Sequence, residues 1–256
     1  MKKILISLLI LLLITLLTAK KYPLRKYYHV KKFYKEISKV TVDLGVKYNT
    51  PPAAVLAIAG LESGYGTGYV SQVTGNIMSL GANKGERQLP PLYLPRVKKT
   101  KKIIFKKSDI TKYKKNQLKW AKRPPSLKKD YRPSKIVGTA NNLEYFSKHP
   151  NERKKAMKKN IEDFMKNWVS YDYQMTSFQE ARAYLDSLVS KKGKDVLFDK
   201  EVNIGFIELI GGRPHSFNYR KSWLRRVKSI MNNTGLIDLT VDIYFHNKNF
   251  DTAWKK

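Results

Sequence analysis

This sequence predicts a mainly helical α+β protein. Apolar residues return at three- and four-residue steps in separate stretches, around 33–44, 157–168 and 223–230, the period of helices with one buried face. Between the first two, prolines at 90, 91, 95, 124, 125 and 133 break any long helix. Only short β-prone pieces fit there, such as Lys102-Ile103-Ile104-Phe105. No repeat of roughly 20–50 residues is visible, and 256 residues suit one domain of ordinary size with an appendage.

Charge narrows the partners. With 51 basic and 20 acidic residues the chain carries a formal +31, which implies an anionic polymer or surface. There are no cysteines, which excludes disulfides, cysteine metal sites and a cysteine nucleophile. The four histidines, His29, His149, His215 and His246, do not pair at ligand spacing, so no zinc site and no cofactor are expected.

Met1-Lys2-Lys3 precedes a run of Leu and Ile from Ile4 to Leu17. A charged start before a short apolar run reads as a signal peptide or uncleaved anchor at 1–19, which places the remainder outside the cytoplasm. Residues 20–28 read as a basic, aromatic spacer. A helix follows from His29 to about Val46, buried through Phe33, Ile37, Val40, Val42 and Leu44.

Residues 50–66 carry the strongest signal. Thr50-Pro51-Pro52 opens a helix, the hydroxyl as cap and proline where its missing donor costs nothing. Gly64 and Gly66 stop it. Val55, Ala59 and Glu62 share one face at steps of four and three. A carboxyl among apolar neighbours, at the negative end of a helix, has its pKa raised on both counts. An acid that keeps its proton at neutral pH is what protonation of a glycosidic oxygen requires. Nothing basic lies nearer along the helix than Lys47.

The string Leu61-Glu62-Ser63-Gly64-Tyr65-Gly66, with Gly75-Asn76-Ile77-Met78-Ser79-Leu80-Gly81 about ten residues on, resembles the N-acetylglucosaminidases of glycoside hydrolase family 73, flagellar glucosaminidase domains among them. The resemblance covers residues 30–82 well. It implies a lysozyme-like fold with a small β-lobe, and it maps the family's general acid onto Glu62. Ser63, Tyr65, which stands where the family has mostly tryptophan, and Asn76 become expected substrate contacts. So does Tyr219, which matches a tyrosine at the start of the family's last helix. The family's Gly-Tyr-Ala-Thr-Asp turn is replaced by Gly211-Gly212-Arg213-Pro214-His215, without its tyrosine.

The middle of the chain departs from that pattern. Between Arg96 and Lys135 stand 17 Lys or Arg and two acids, in an expected basic insertion at about 84–150. This insertion reads as an electrostatic tether to anionic wall polymers or a membrane surface. The interleaved Tyr93, Tyr113, Trp120 and Tyr131 also suit stacking on sugars or bases; export argues against nucleic acid. From Asn151, a polar cap, a helix is expected through Trp168, and residues 168–171 resemble the family's aromatic strand. Ser177-Phe178-Gln179-Glu180 reads as a capping box for a helix to about Ser190. Helices follow at 193–210 and from Phe217 to Asn232, the latter stopped by Gly235. The domain is expected to span 29–240. Alternating apolar residues at 239, 241, 243 and 245 predict an extended tail over 241–256.

Glycosidases usually use two carboxyl groups. Glu144-Tyr145 resembles the family's second acid in its β-lobe, so Glu144 is the candidate base, with Glu86, Asp109 and Asp130 behind it. A route in which the sugar's N-acetyl group is the nucleophile needs Glu62 alone. The expected activity is an exported, monomeric endo-β-N-acetylglucosaminidase acting on peptidoglycan glycan strands. The alternatives are a lytic transglycosylase and a non-catalytic cationic wall-binding protein.

Overall fold

The computed structural model describes residues 22–138 and 144–255, and it is mainly helical with two small antiparallel sheets. The leader expected at 1–19 lies outside the described residues; among those described, no helix is long and apolar enough to cross a membrane. Helices α1 (Tyr28–Lys47) and α2 (Pro52–Ser63) come first, then the short α3 (Tyr69–Thr74). The lobe follows: β1 (Gln88–Leu89), β2 (Leu92–Val97), α4 (Lys107–Ile110), β3 (Leu118–Arg123) and β4 (Ser126–Lys129). Then come α5 (Tyr145–Lys148), α6 (Pro150–Asp163), α7 (Thr176–Lys192), α8 (Lys200–Ile210), α9 (Lys221–Thr234), α10 (Leu236–Tyr244) and α11 (Phe250–Trp254).

The motif helix α2 is the axis of the body. Residues 52–60 are all buried, because α1, α8, α9 and α10 pack around it. A helix apolar on every side is stable only when so enclosed. Truncating Leu56 or Ile58, both fully buried, would cost about 2–5 kcal/mol each.

Its first turn is not closed by Thr50, whose hydroxyl donates to the Tyr48 carbonyl. Asn203 of α8 accepts from the Ala54 amide instead, at 2.8 Å, and donates to the Leu197 and Asp199 carbonyls. Asn151 and Ser177 likewise do not cap: α6 begins at Pro150 and α7 at Thr176. Glu180 pairs with Arg213 rather than with its own helix. No strand forms at 168–171; α6 runs into a π-turn over Phe164–Trp168.

The tail is helical, not extended. Leu236, Leu239 and Ile243 repeat at steps of three and four as well as alternating, and burial against the body selects the helical face. The expected spacer is also part of the fold, with a 3-10 turn at Pro23–Lys26. Arg25 donates to the carbonyls of Thr234, Gly235, Ala253 and Trp254, where α9 and α11 end and cations are favoured.

In the lobe, β1 pairs with β4 and β2 with β3. Lys102–Phe105 contributes a single bridge, Ile103 to Arg96, rather than a strand. The lobe is tied to the body through Lys129, which reaches Glu86 at 2.6 Å and Asp163 of α6 at 2.8 Å.

Candidate active site

Glu62 stands in the last turn of α2, half-buried, one residue before the helix ends. The end is made by Gly64, at φ +55°, a left-handed conformation that glycine adopts without strain. Trp223 of α9 donates its indole N–H to Glu62 Oε1 at 2.8 Å. That ring is 4% exposed, seated against the Gly211-Gly212 turn. A Cβ at Gly211 would stand 2.2 Å from Trp223 Cζ3, so only glycine lets the ring lie there. Phe217, 5.8 Å away between ring centroids, backs it.

Burial pushes the Glu62 carboxyl above the usual carboxylate range, and the Trp223 N–H, the Lys128 ammonium and the Arg226 guanidinium pull it partly back. The charges that act on it are both cationic, from β4 and α9. Lys128 is itself pushed below the ordinary lysine value by burial, opposed by Glu62, and donates to the Ser79 carbonyl at 2.6 Å. The carboxyl thus lies where the body meets the lobe.

The other expected site residues divide. Tyr65, half-buried at φ +55°, sits on the turn after Glu62, edge-on to His29, Phe33 and Tyr34. It borders two cavities. One of about 460 Å³ is lined by His29, Glu36, Phe105, Glu144 and Arg153 among others. The other, about 490 Å³, is lined by Gly60, Leu61, Gly64 and Tyr65 with Arg225, Arg226 and Ser229 of α9; Glu62 lines neither cavity.

Ser63 and Asn76, expected against the sugar, are each 1% exposed. Ser63 Oγ donates to the Ala59 carbonyl and accepts from the Gly66 amide. Asn76 donates to the Leu80 and Lys129 carbonyls, and its Oδ1 accepts from the Leu80 amide and from Asn160. Both shape the site from behind instead of facing a ligand. Tyr219 is 66% exposed on the loop before α9, with the Arg220 guanidinium over its ring.

Glu144, the expected base, borders the first cavity together with Tyr65. Glu144 precedes α5 and lines the cavity with Phe105 and Arg153, a lining from which Glu62 is missing. The remaining candidate acids are engaged elsewhere: Glu86 with Lys129, Asp109 with Lys112, and Asp130 with Arg132. Among the described residues no group of His, Asp and Glu could hold a metal ion.

Sequence reasoning missed Trp223, Lys128 and Arg226 as neighbours of Glu62. Trp223 carried a signal, a buried stripe on its helix, but nothing local marks its long-range partner. Comparison with family models, with curated proteins and with solved structures finds no match for this chain.

Proposed function

We propose that this chain is an exported glycoside hydrolase of lysozyme-like architecture, cutting the peptidoglycan glycan backbone at N-acetylglucosamine with Glu62 as general acid. One observation carries the reading: a carboxyl held by an indole N–H at the mouth of a helix end, its pKa raised by burial. Such a group holds its proton to higher pH than an ordinary carboxyl does and can give it to a leaving oxygen. With Oε1 taken by Trp223, Oε2 is the oxygen that carries it.

The chemistry follows from the neighbours. As the C1–O bond breaks, the Glu62 proton passes to the departing oxygen and Glu62 becomes a carboxylate. Trp223, Lys128 and Arg226 all favour that charged form, so they stabilise what the step creates. In the route that needs no second carboxylate, the sugar's own N-acetyl oxygen closes on C1. Water then opens that ring, with Glu62 taking the water's proton and returning to its starting state.

Glu62→Gln tests the proposal. The amide keeps an acceptor for Trp223 but has no proton to give, and activity falls by at least about a hundredfold. A variant that still clears peptidoglycan in a zymogram rejects the assignment. The same single-acid arrangement serves a lytic transglycosylase, and the products decide. A reducing glucosamine end means hydrolysis there, whereas an anhydro-muramic end means transglycosylation. A protein that binds walls but releases neither is a binding module.

A further inference from the structure

The β2–β3 hairpin has two faces with opposite characters. Leu92 and Leu94 point inward and pack with Val73, Tyr69 and Val70 of α3. The other face carries Tyr93 and Trp120, 63% and 45% exposed. In the register Tyr93 lies opposite Lys122 and Trp120 opposite Pro95, so the two rings are diagonal neighbours on one face. They stack on each other, centroids 5.9 Å apart and planes 19° from parallel. Trp168, Trp223 and Trp254 are each at most 8% exposed; Trp120 alone among the tryptophans is presented to solvent.

Rings stacked with each other outside any core give a flat, rigid ledge. Lys122 stands exposed beside it, opposite Tyr93, within a segment holding 17 cations against two acids. An uncharged ligand would gain nothing from those cations. A lipid surface would call for exposed aliphatic side chains beside the rings, and on their face Pro95, Val97 and Leu118 are all buried. The fitting partner has ring faces to stack and regularly spaced negative charge.

We propose that Tyr93, Trp120 and Lys122 form a binding ledge for an anionic polysaccharide, the rings stacking on sugar faces while the lysine pairs with carboxylate or phosphate substituents. Choosing a polysaccharide over a single-stranded nucleic acid rests on the wall-directed reading above; the ledge does not depend on Glu62.

The test uses the full chain carrying Glu62→Gln, so that no turnover confuses binding. Tryptophan emission is titrated with carboxymethyl cellulose, with hydroxyethyl cellulose, with oligothymidylate and with phosphatidylglycerol vesicles. Expected are a shift of the Trp120 emission with the carboxylated polymer and little with its neutral counterpart. By pull-down, Tyr93→Ala and Trp120→Ala each weaken that binding roughly tenfold, Trp120→Phe restores most of it, and circular dichroism stays unchanged. Unchanged affinity in both alanine variants overturns the ledge and leaves diffuse lysine attraction. Oligothymidylate or vesicles bound more tightly than the carboxylated polymer, with the same variants impaired, overturn the choice of partner. Failure of peptidoglycan cleavage in the wild type would touch the catalytic reading alone.

Discussion

The indole N–H of Trp223 donates to Oε1 of Glu62 at 2.8 Å, joining residues 161 apart in the chain. It fixes one carboxyl oxygen and favours the ionised form. Trp223→Phe removes the donor and leaves space for the missing ring. The alkaline limb of the pH–activity profile should move upward, because a carboxyl deprived of that bond holds its proton longer. Maximal turnover should fall, and stability should drop by about 1–2 kcal/mol. Activity against pH, with denaturant unfolding alongside, checks all three.

Arg226 and Lys128 both draw the Glu62 pKa down, but they differ in exposure. Arg226→Ala and Lys128→Met should each shift the alkaline limb upward. Arg226 is exposed, so its effect should fade as salt rises, while that of the half-buried Lys128 persists. Equal salt sensitivity in the two variants would contradict this placement.

Burial also sets a stability cost at this site. The folded protein holds the Glu62 proton more tightly than the unfolded chain does, so stability from this group is full below the unfolded carboxyl pKa. It is lost as pH rises through the folded one. Glu62→Gln should therefore raise Tm at neutral and higher pH, with no gain in acid. Asp163 runs the opposite way. Burial works to raise it, but Lys129, Tyr131 and Asn167 bond to its ionised form and hold its pKa below the ordinary value. That contribution is present above the unfolded pKa and disappears as pH falls through the folded one. Thermal melts of the wild type, Glu62→Gln and Asp163→Asn across pH separate the two.

Asn76→Ala should cost about 2–4 kcal/mol, since it removes the buried acceptor of the Leu80 amide and of the Asn160 side chain. Its activity per folded molecule should remain near that of the wild type. Calorimetry paired with rates corrected for folded fraction makes the check; a large rise in KM at full stability would instead return Asn76 to the sugar.

Helices announced by local pattern were legible. The Pro52 start, the Gly64 stop and the stripe of Trp223 and Val227 in α9 follow from spacing within a few turns. Choices made by distant packing were not. Thr50, Asn151 and Ser177 look like caps, yet Asn203 does that work for α2 from another helix. The pattern from Leu236 to Phe245 satisfies two periods at once, and only contact with the body decides between them. At the site, Glu62 is readable because helix end, apolar face and glycine turn are contiguous. Trp223 and Lys128 arrive from elsewhere in the chain, and no local rule encodes which carboxyl they meet.

Arg25 gathers the carbonyl ends of α9 and α11 in one side chain, and so fastens the two extremities of the described chain together. Trimming the last helix would unfasten the beginning as surely as the end.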